Sequence, residues 1–127
     1  MRQVLALVDD LMFLSRILEV ARGTDLNVRA VRSTAELVSA AGDAASLVLV
    51  DADSGRLPWK EAVMALRAGP RGGRSPVIAF LSHVHALHAD EARAAGCTRV
   101  LARGAFVRDL PRILNTFAQE ALEEPTL

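Results

Sequence analysis

Cysteines, long apolar runs and blocks of like charge are all scarce in this chain of 127 residues. Its single cysteine, Cys97, excludes an internal disulfide, so the chain is unlike a small secreted scaffold. Its apolar runs have the length of strands and fall short of the roughly 20 residues that a membrane span needs. The first residues lead directly into a strand and leave no room for a signal peptide. We therefore expect a cytoplasmic protein without membrane contact.

An excess of one charge is also missing, because 15 basic residues balance 15 acidic ones. No basic block marks a surface for a phosphate backbone, so we expect no direct nucleic-acid binding. Apolar residues make up 51% of the chain, which is enough for a substantial core. The length is that of one domain. We assign residues 1–122 to a single domain and residues 123–127 to a frayed tail.

Five short strand-like runs alternate with helical patterns along the chain. The runs are Val4–Val8, Val28–Val31, Leu47–Val50, Val77–Leu81 and Arg99–Ala102. Most are continuously apolar, as expected of strands that are buried on both faces. This order predicts an α/β fold with a parallel sheet covered by helices on both sides.

The helices have their own sequence signals. A first helix is indicated by an apolar stripe of Leu11, Leu14, Ile17, Leu18 and Ala21. The second begins with a capping box at residues 33–36, and the third begins near Trp59. The fourth is weakly amphipathic and covers roughly residues 86–95. For the last helix we expect Asp109 to be the N-cap, which would place Pro111 in the first turn.

Charged side chains follow three of the predicted strands. Asp9 and Asp10 come after the first strand, Asp51 closes the third, and Arg103 follows the fifth. Because the carboxyl ends of parallel strands share one edge of a sheet, these residues are expected to line one crevice. Such carboxylates suit Mg²⁺, an aspartate can accept a phosphoryl group, and an arginine can hold a phosphoryl oxygen.

Each of these residues also has a simpler interpretation when taken alone. Paired aspartates after a strand are often a helix N-cap with solvated charge, and a lone Arg103 would be a surface arginine. The convergence of three strand ends is what favours a site. Dinucleotide binding is disfavoured, because the turn at Asp9, Asp10 and Leu11 has no glycine to admit a pyrophosphate.

The chain resembles the receiver domain of two-component response regulators over essentially its whole length. The matching segments are residues 4–10, 47–51 and 76–81, then Ala95 and Gly96, followed by residues 100–103. The resemblance implies a flavodoxin-like, doubly wound sheet of five parallel strands in the order 2-1-3-4-5, with five helices.

The same resemblance implies roles for the acidic residues. Asp9 and Asp10 would be ligands of Mg²⁺. Asp51 would be a third ligand and the phosphoacceptor of a histidine kinase, and the backbone carbonyl of Asp53 would complete the protein ligands. Arg103 would contact the phosphoryl group.

The chain departs from the receiver pattern at its switch positions. The family has Lys followed by Pro where this chain has Arg103 and Gly104, and Arg is a wider, planar group than Lys. Counting along the strands places Leu81 where the family has a Thr or Ser that bonds the phosphoryl group. Ser82 is adjacent and could contact the phosphoryl group after a one-residue slip, but such a slip would turn every side chain of that strand to the opposite face. Val100 stands where the family often has an aromatic residue. This pattern indicates an atypical receiver, or pseudo-receiver.

Two other features have open interpretations. His83, His85 and His88 could ligate a transition metal with Asp90, or His83 could line the crevice, although solvent-facing loop histidines are the simpler interpretation. Trp59 is expected to cap the core or to lie at the lip of the crevice.

Two functions therefore remain as hypotheses. The first is a stand-alone signalling domain that acts through protein–protein contacts, with a histidine kinase or another signalling protein as partner, or with a second copy through its last helices and strands. Within this hypothesis Asp51 is either phosphorylated with Mg²⁺ or not used, and we favour the second mechanism. The rival hypothesis is a small phosphotransfer or hydrolytic enzyme at the same acidic edge, which would need a deeper pocket.

Overall fold

A parallel β-sheet forms the centre of the protein in a computed structural model that describes the backbone of residues 2–41, 46–69, 74–82 and 86–123. In these ranges the strands are β1 (Gln3–Leu7), β2 (Asn27–Ala30), β3 (Ser46–Asp51), β4 (Val77–Leu81) and β5 (Arg99–Ala102). They pair in parallel in the order β2-β1-β3-β4-β5. The predicted flavodoxin-like topology is confirmed, and each strand lies within one residue of its predicted bounds.

Four helices connect the described strands, and a fifth follows the last one. They are α1 (Leu11–Ala21), α2 (Thr34–Ala40), α3 (Trp59–Ala68), α4 (Ala86–Ala95) and α5 (Arg103–Glu123). The predicted capping signal before α2 is confirmed, since the side chain of Ser33 accepts a hydrogen bond of 3.1 Å from the amide of Glu36. Lys60 of α3 and Glu91 of α4 form an ion pair of 2.8 Å on the surface.

The middle strand explains why the carboxyl ends of the strands meet. All six residues of β3 are buried, as its continuous apolar run predicts. β3 pairs with β1 on one side, where Leu7 lies opposite Val50. On the other side it pairs with β4, where Asp51 lies opposite Phe80. This register brings the residues that follow β1 and β3 to one edge of the sheet.

The two faces of the sheet bury separate apolar clusters. The first core lies under α2, α3 and α4 and includes Leu37, Val63, Leu66 and Ala92. The second core lies under α1 and α5 and includes Ile17, Phe106, Leu110 and Leu114. Alternate residues of β1 and β3 enter the two cores, because successive side chains of a strand point to opposite faces.

The predicted apolar face of α1 is wrong in part. Leu11 is 73% exposed and Leu18 is 46% exposed, so both face solvent and not the core. Ile17 and Ala21 are buried as expected. The buried side is completed by Phe13, which packs against the second core. The buried face of α1 therefore includes Phe13 and is rotated around the helix axis relative to the predicted stripe, which included Leu11.

The predicted start of α5 is also wrong. The helix begins at Arg103 and not after Asp109, so Pro111 lies inside it. Phe106, which is fully buried in the second core, anchors the early turns that the sequence pattern left out. Asp109 contacts Arg108 and Arg112 within the helix and does not cap it. No residue separates β5 from α5.

Some expectations fall on residues that the structure does not describe. Residues 124–127 of the expected tail and two of the candidate histidines, His83 and His85, lie outside the described ranges. The division into residues 1–122 and 123–127 therefore stays a prediction. No helix in the described ranges has the length and hydropathy to cross a membrane.

Candidate functional site

Asp10 is fixed at the entry to the crevice by the helix that it caps. It follows β1, and its Oδ1 accepts hydrogen bonds from the amides of Met12 (2.9 Å) and Phe13 (3.3 Å). These amides belong to the first turn of α1 and have no partner within the helix. The N-cap interpretation is thus correct for Asp10. Its second oxygen, Oδ2, is directed to Arg103 at 3.7 Å.

Asp9 lies on the β2 side of the crevice. Its Oδ1 is 3.5 Å from Nη2 of Arg32, which comes shortly after β2. About a quarter of the Asp9 side chain is exposed. Asp9 and Asp10 therefore contact different cations, although they are consecutive in the sequence.

Asp51 is the buried carboxylate of the crevice. It is 3% exposed at the end of β3, and its Oδ1 accepts a hydrogen bond of 3.1 Å from the amide of Asp53. Burial raises the pKa of Asp51 because it removes water from the charged form. The Asp53 amide and the charge of Arg103 act in the opposite direction. This carboxylate is therefore poorly solvated.

Arg103 is the cation that the carboxylates of Asp10, Asp51 and Asp53 share. Its Nη2 lies 3.7 Å from Oδ2 of Asp10 and 3.8 Å from Oδ2 of Asp51. Its Nε lies 3.9 Å from Oδ2 of Asp53. These distances are those of ion pairs and exceed the usual range for hydrogen bonds. Of the four residues predicted to line one crevice, Asp10, Asp51 and Arg103 meet in this way, whereas the ion pair of Asp9 is with Arg32.

Aromatic rings hold the guanidinium from its other side. The Cζ atom of Arg103 lies 4.4 Å from the ring centre of Phe13 and 5.5 Å from that of Phe80. The two rings stack at 4.7 Å, and Phe106 stacks on Phe80 at 4.5 Å. A cation over such ring faces is attracted by their negative π-systems. Sequence analysis missed Phe13 and Phe80; the spacing of Phe13, Ile17 and Val20 is the signal that would have located the first.

Ser82 enters the crevice without any slip of the strand. β4 ends at Leu81, which is 1% exposed and lies in the first core. The amide and the hydroxyl of Ser82 both donate hydrogen bonds to Oδ2 of Asp53. The side chain of Asp53 is thus part of the crevice, whereas the sequence suggested only its carbonyl. At the switch position of β5, Val100 packs against the first core.

The remaining candidates lie away from these contacts or outside the described ranges. His88 is exposed on α4, and His83 and His85 are among the undescribed residues. Trp59 is partly buried and packs against the first core, which agrees with a core-capping aromatic.

A divalent ion does not fit the side chains as they lie. Carboxylate oxygens are the right ligands for Mg²⁺. Here, however, those of Asp10, Asp51 and Asp53 surround a guanidinium. Among the residues with described side chains, no group of three or more His, Cys, Asp or Glu is arranged to hold one metal ion. The predicted Mg²⁺ ligands, namely Asp9, Asp10, Asp51 and the carbonyl of Asp53, stay a prediction.

Two surface cavities of the described structure lie elsewhere. One of about 250 Å³ lies between the sheet and α5 and is lined by Leu47, Ile78, Arg99 and Phe117, among others. Another of about 450 Å³ lies along the exposed side of α1. None of the carboxylates of the crevice lines either one.

The fold resembles that of solved receiver domains. The receiver domain of the sensor histidine kinase PA1611 from Pseudomonas aeruginosa, which holds a magnesium ion in its active site cleft, superposes with a TM-score of 0.73 at 23% identity, over 92% of this chain and 97% of that one. Chemotaxis protein CheY4 of Vibrio cholerae gives 0.76 at 19% identity, over 91% and 98%. The phosphorylated cyanobacterial phytochrome response regulator RcpA gives 0.73 at 16%, over 98% and 96%.

Comparisons by sequence gave no match, either to a protein-family model or to a curated protein. The structural likeness nevertheless extends over about nine-tenths of the chain. The segments at residues 4–10, 47–51 and 100–103 overlap β1, β3 and β5 and reach the residues at the carboxyl ends of these strands. The protein therefore has the fold of response regulator receiver domains, with its acidic crevice at the carboxyl edge of the sheet.

Proposed function

We propose that this protein is a receiver-like signalling domain that acts through protein–protein contacts without phosphorylation of Asp51. The observation that carries this proposal is the set of contacts around Asp53. The hydroxyl and amide of Ser82 and the guanidinium of Arg103 all contact one oxygen of that carboxylate. The donors suited to a phosphoryl group beside Asp51 are thus already used within the chain.

Two of the switch positions, Leu81 and Val100, support the same proposal. Leu81 and Val100 are apolar and pack in or against the first core. Leu81 lacks the hydroxyl group, and Val100 the aromatic ring, that the receiver resemblance implies at these positions. A signal from the crevice would need another route.

The alternative mechanism keeps Asp51 as the phosphoacceptor of a histidine kinase, with Mg²⁺ bound nearby. It is favoured by the poorly solvated carboxylate and by the neighbouring Arg103. The fold likeness to a magnesium-bound receiver and to a phosphorylated one also supports it.

Intact mass spectrometry after incubation with acetyl phosphate and MgCl₂ separates the two mechanisms. We expect no added phosphoryl group on the wild-type protein. The double variant Leu81→Thr with Arg103→Lys restores the two contacts of the receiver pattern and is the matched comparison. A phosphoryl adduct on the wild-type protein that Asp51→Asn abolishes would overturn the phosphorylation-independent proposal.

We propose that the contact surface is formed by α4, β5 and α5, with another signalling protein or a second copy as partner. β5 is at the edge of the sheet, and the 250 Å³ cavity lies beside it. Arg99 of β5 is exposed and lines that cavity. If two copies associate here, Arg99→Glu lowers the sedimentation-derived dimer fraction. Arg29→Glu on the opposite edge strand, β2, is the matched control and leaves that fraction unchanged.

The enzyme hypothesis calls for a deep pocket at the acidic edge. The two cavities described above are lined by residues other than the carboxylates, so neither of them supplies such a pocket.

A further inference from the structure

We propose that Arg103 is the resident cation of the acidic crevice and that it excludes divalent ions from the carboxylates of Asp10, Asp51 and Asp53. The proposal deepens the signalling function above, on which it rests for its biological meaning. It follows from one geometrical fact. A single guanidinium lies within 3.9 Å of one oxygen from each of the three carboxylates.

In two of the three carboxylates, those of Asp10 and Asp51, the other oxygen has backbone partners. Oδ1 of Asp10 accepts the amides of Met12 and Phe13, and Oδ1 of Asp51 accepts the amide of Asp53. For Asp10 and Asp51, the oxygens that remain for a cation are therefore the ones that face Arg103. A divalent ion would need these same oxygens at much shorter distances.

The guanidinium is held in this place by more than charge. Its plane lies over Phe13, and Phe80 and Phe106 continue the stack into the second core. Only 26% of the Arg103 side chain is exposed. Because the rings belong to α1, β4 and α5, displacing the guanidinium would disturb contacts between three elements.

Electrostatic repulsion by Arg103 acts against the binding of a divalent ion to the same carboxylates. A divalent ion that entered beside Arg103 would meet a positive charge a few ångströms away, in a region where the Asp51 carboxylate is poorly solvated. Nε of Arg103 is buried without a hydrogen-bond partner among the described atoms, so its contact with Asp53 is ionic. Neutralising Arg103 removes the repulsion and leaves three carboxylates without their shared counter-ion.

Titration with MnCl₂, followed by the electron paramagnetic resonance signal of free Mn²⁺, tests the proposal. The test variant is Arg103→Met, which keeps an apolar stem over Phe13 and loses the charge. We expect it to bind Mn²⁺ at least tenfold more tightly than the wild-type protein. Arg112→Met makes the same change at an exposed position of α5 and should match the wild type.

Circular dichroism identifies the variants that are folded, and Arg103→Gln replaces the Met variant if that one does not fold. Equal Mn²⁺ affinity of the wild type and the neutral variant would overturn the proposal, and so would the absence of binding by both. These results are separate from the acetyl phosphate experiment. If the wild-type protein binds Mn²⁺ as tightly as the neutral variant but takes up no phosphoryl group, the proposal that Arg103 is the resident cation is refuted, while the proposed signalling function is unaffected.

Discussion

Cys97 shows how burial controls the chemistry of a single residue. It lies in the first core and is 6% exposed. Burial raises the pKa of its thiol from 9.0 to about 11, against a smaller opposing effect of the Arg67 charge. Since the thiolate is the reactive form, Cys97 is inert near neutral pH and becomes more reactive only as the pH rises toward that value.

Alkylation by iodoacetamide at pH 8 measures this effect. A shift of two pKa units reduces the thiolate population by roughly 100-fold at that pH. We therefore expect native labelling to be slower than labelling in urea by at least about that factor. The chain has no second cysteine, so every adduct reports on Cys97. Labelling at the same rate in both states would show that the thiol is accessible.

The crevice shows how far sequence reasoning reaches at this scale. Asp10, Asp51 and Arg103 could be brought together from the sequence because strand ends share an edge. The aromatic support could not, because Phe80 is one of several apolar residues in its strand. Its place beside the crevice follows from its pairing with Asp51, and the sequence of neither strand alone determines that register.

At the scale of elements, the connection from α4 to β5 depends on Gly96. Its φ of +122° lies in a region that favours glycine, and an added Cβ would lie 2.5 Å from Cγ of Arg67. The Nε of Arg67 donates a hydrogen bond of 2.8 Å to the Gly96 carbonyl, which fixes the close approach. The turn therefore requires both the backbone conformation and the missing side chain.

We expect Gly96→Ala to lower the free energy of unfolding by about 1–3 kcal/mol, because the alanine is strained in this conformation. Urea unfolding followed by circular dichroism measures the change. Gly104→Ala is the control, since an added Cβ there meets no atom within 4 Å and the residue lies in α5. The control should be neutral or stabilising by up to about 1 kcal/mol. Equal effects of the two substitutions would contradict the argument.

In α5, the residue with a special backbone is Pro111. It lies inside the helix, where proline lacks the amide that would bond to the carbonyl four residues earlier. We expect Pro111→Ala to raise the free energy of unfolding by about 1–2 kcal/mol, after allowing for the greater freedom of the unfolded chain. A lower urea midpoint for the variant would show that the proline is required by the packing of this helix.

The same proline explains why the predicted start of α5 is wrong. Local signals at Asp109 and Pro111 are typical of a helix N-terminus, and they favoured a late start. Packing of Phe106 and Leu110 in the second core overrides them. By contrast, the start of α2, where the local cap and the packing agree, could be predicted from the sequence.

At the scale of the whole molecule, the two cores are tied together by the strands that they share. Leu5 and Leu7 of β1 enter the first core, while Val4 and Ala6 enter the second. Neither cluster can lose its sheet face without exposing the other. The continuous apolar runs allowed this two-sided burial to be predicted, but not which helix covers which face.

We expect one cooperative unfolding transition as a result. Urea curves from Trp59 fluorescence, which reports on the first core, and from circular dichroism should share one midpoint. Separate midpoints would mean that the two cores are independent units. The buffer should lack divalent ions, so that the measurement describes the chain alone.

The direct junction of β5 and α5 has a mechanical consequence. With no residue between them, the chain has no slack at Arg103, and a shift of that backbone also tilts the helix. The 21 residues of α5 extend about 30 Å at 1.5 Å per residue. A tilt of a few degrees at the crevice would therefore move the far end of α5 by an ångström or more, so that this helix can act as a lever arm.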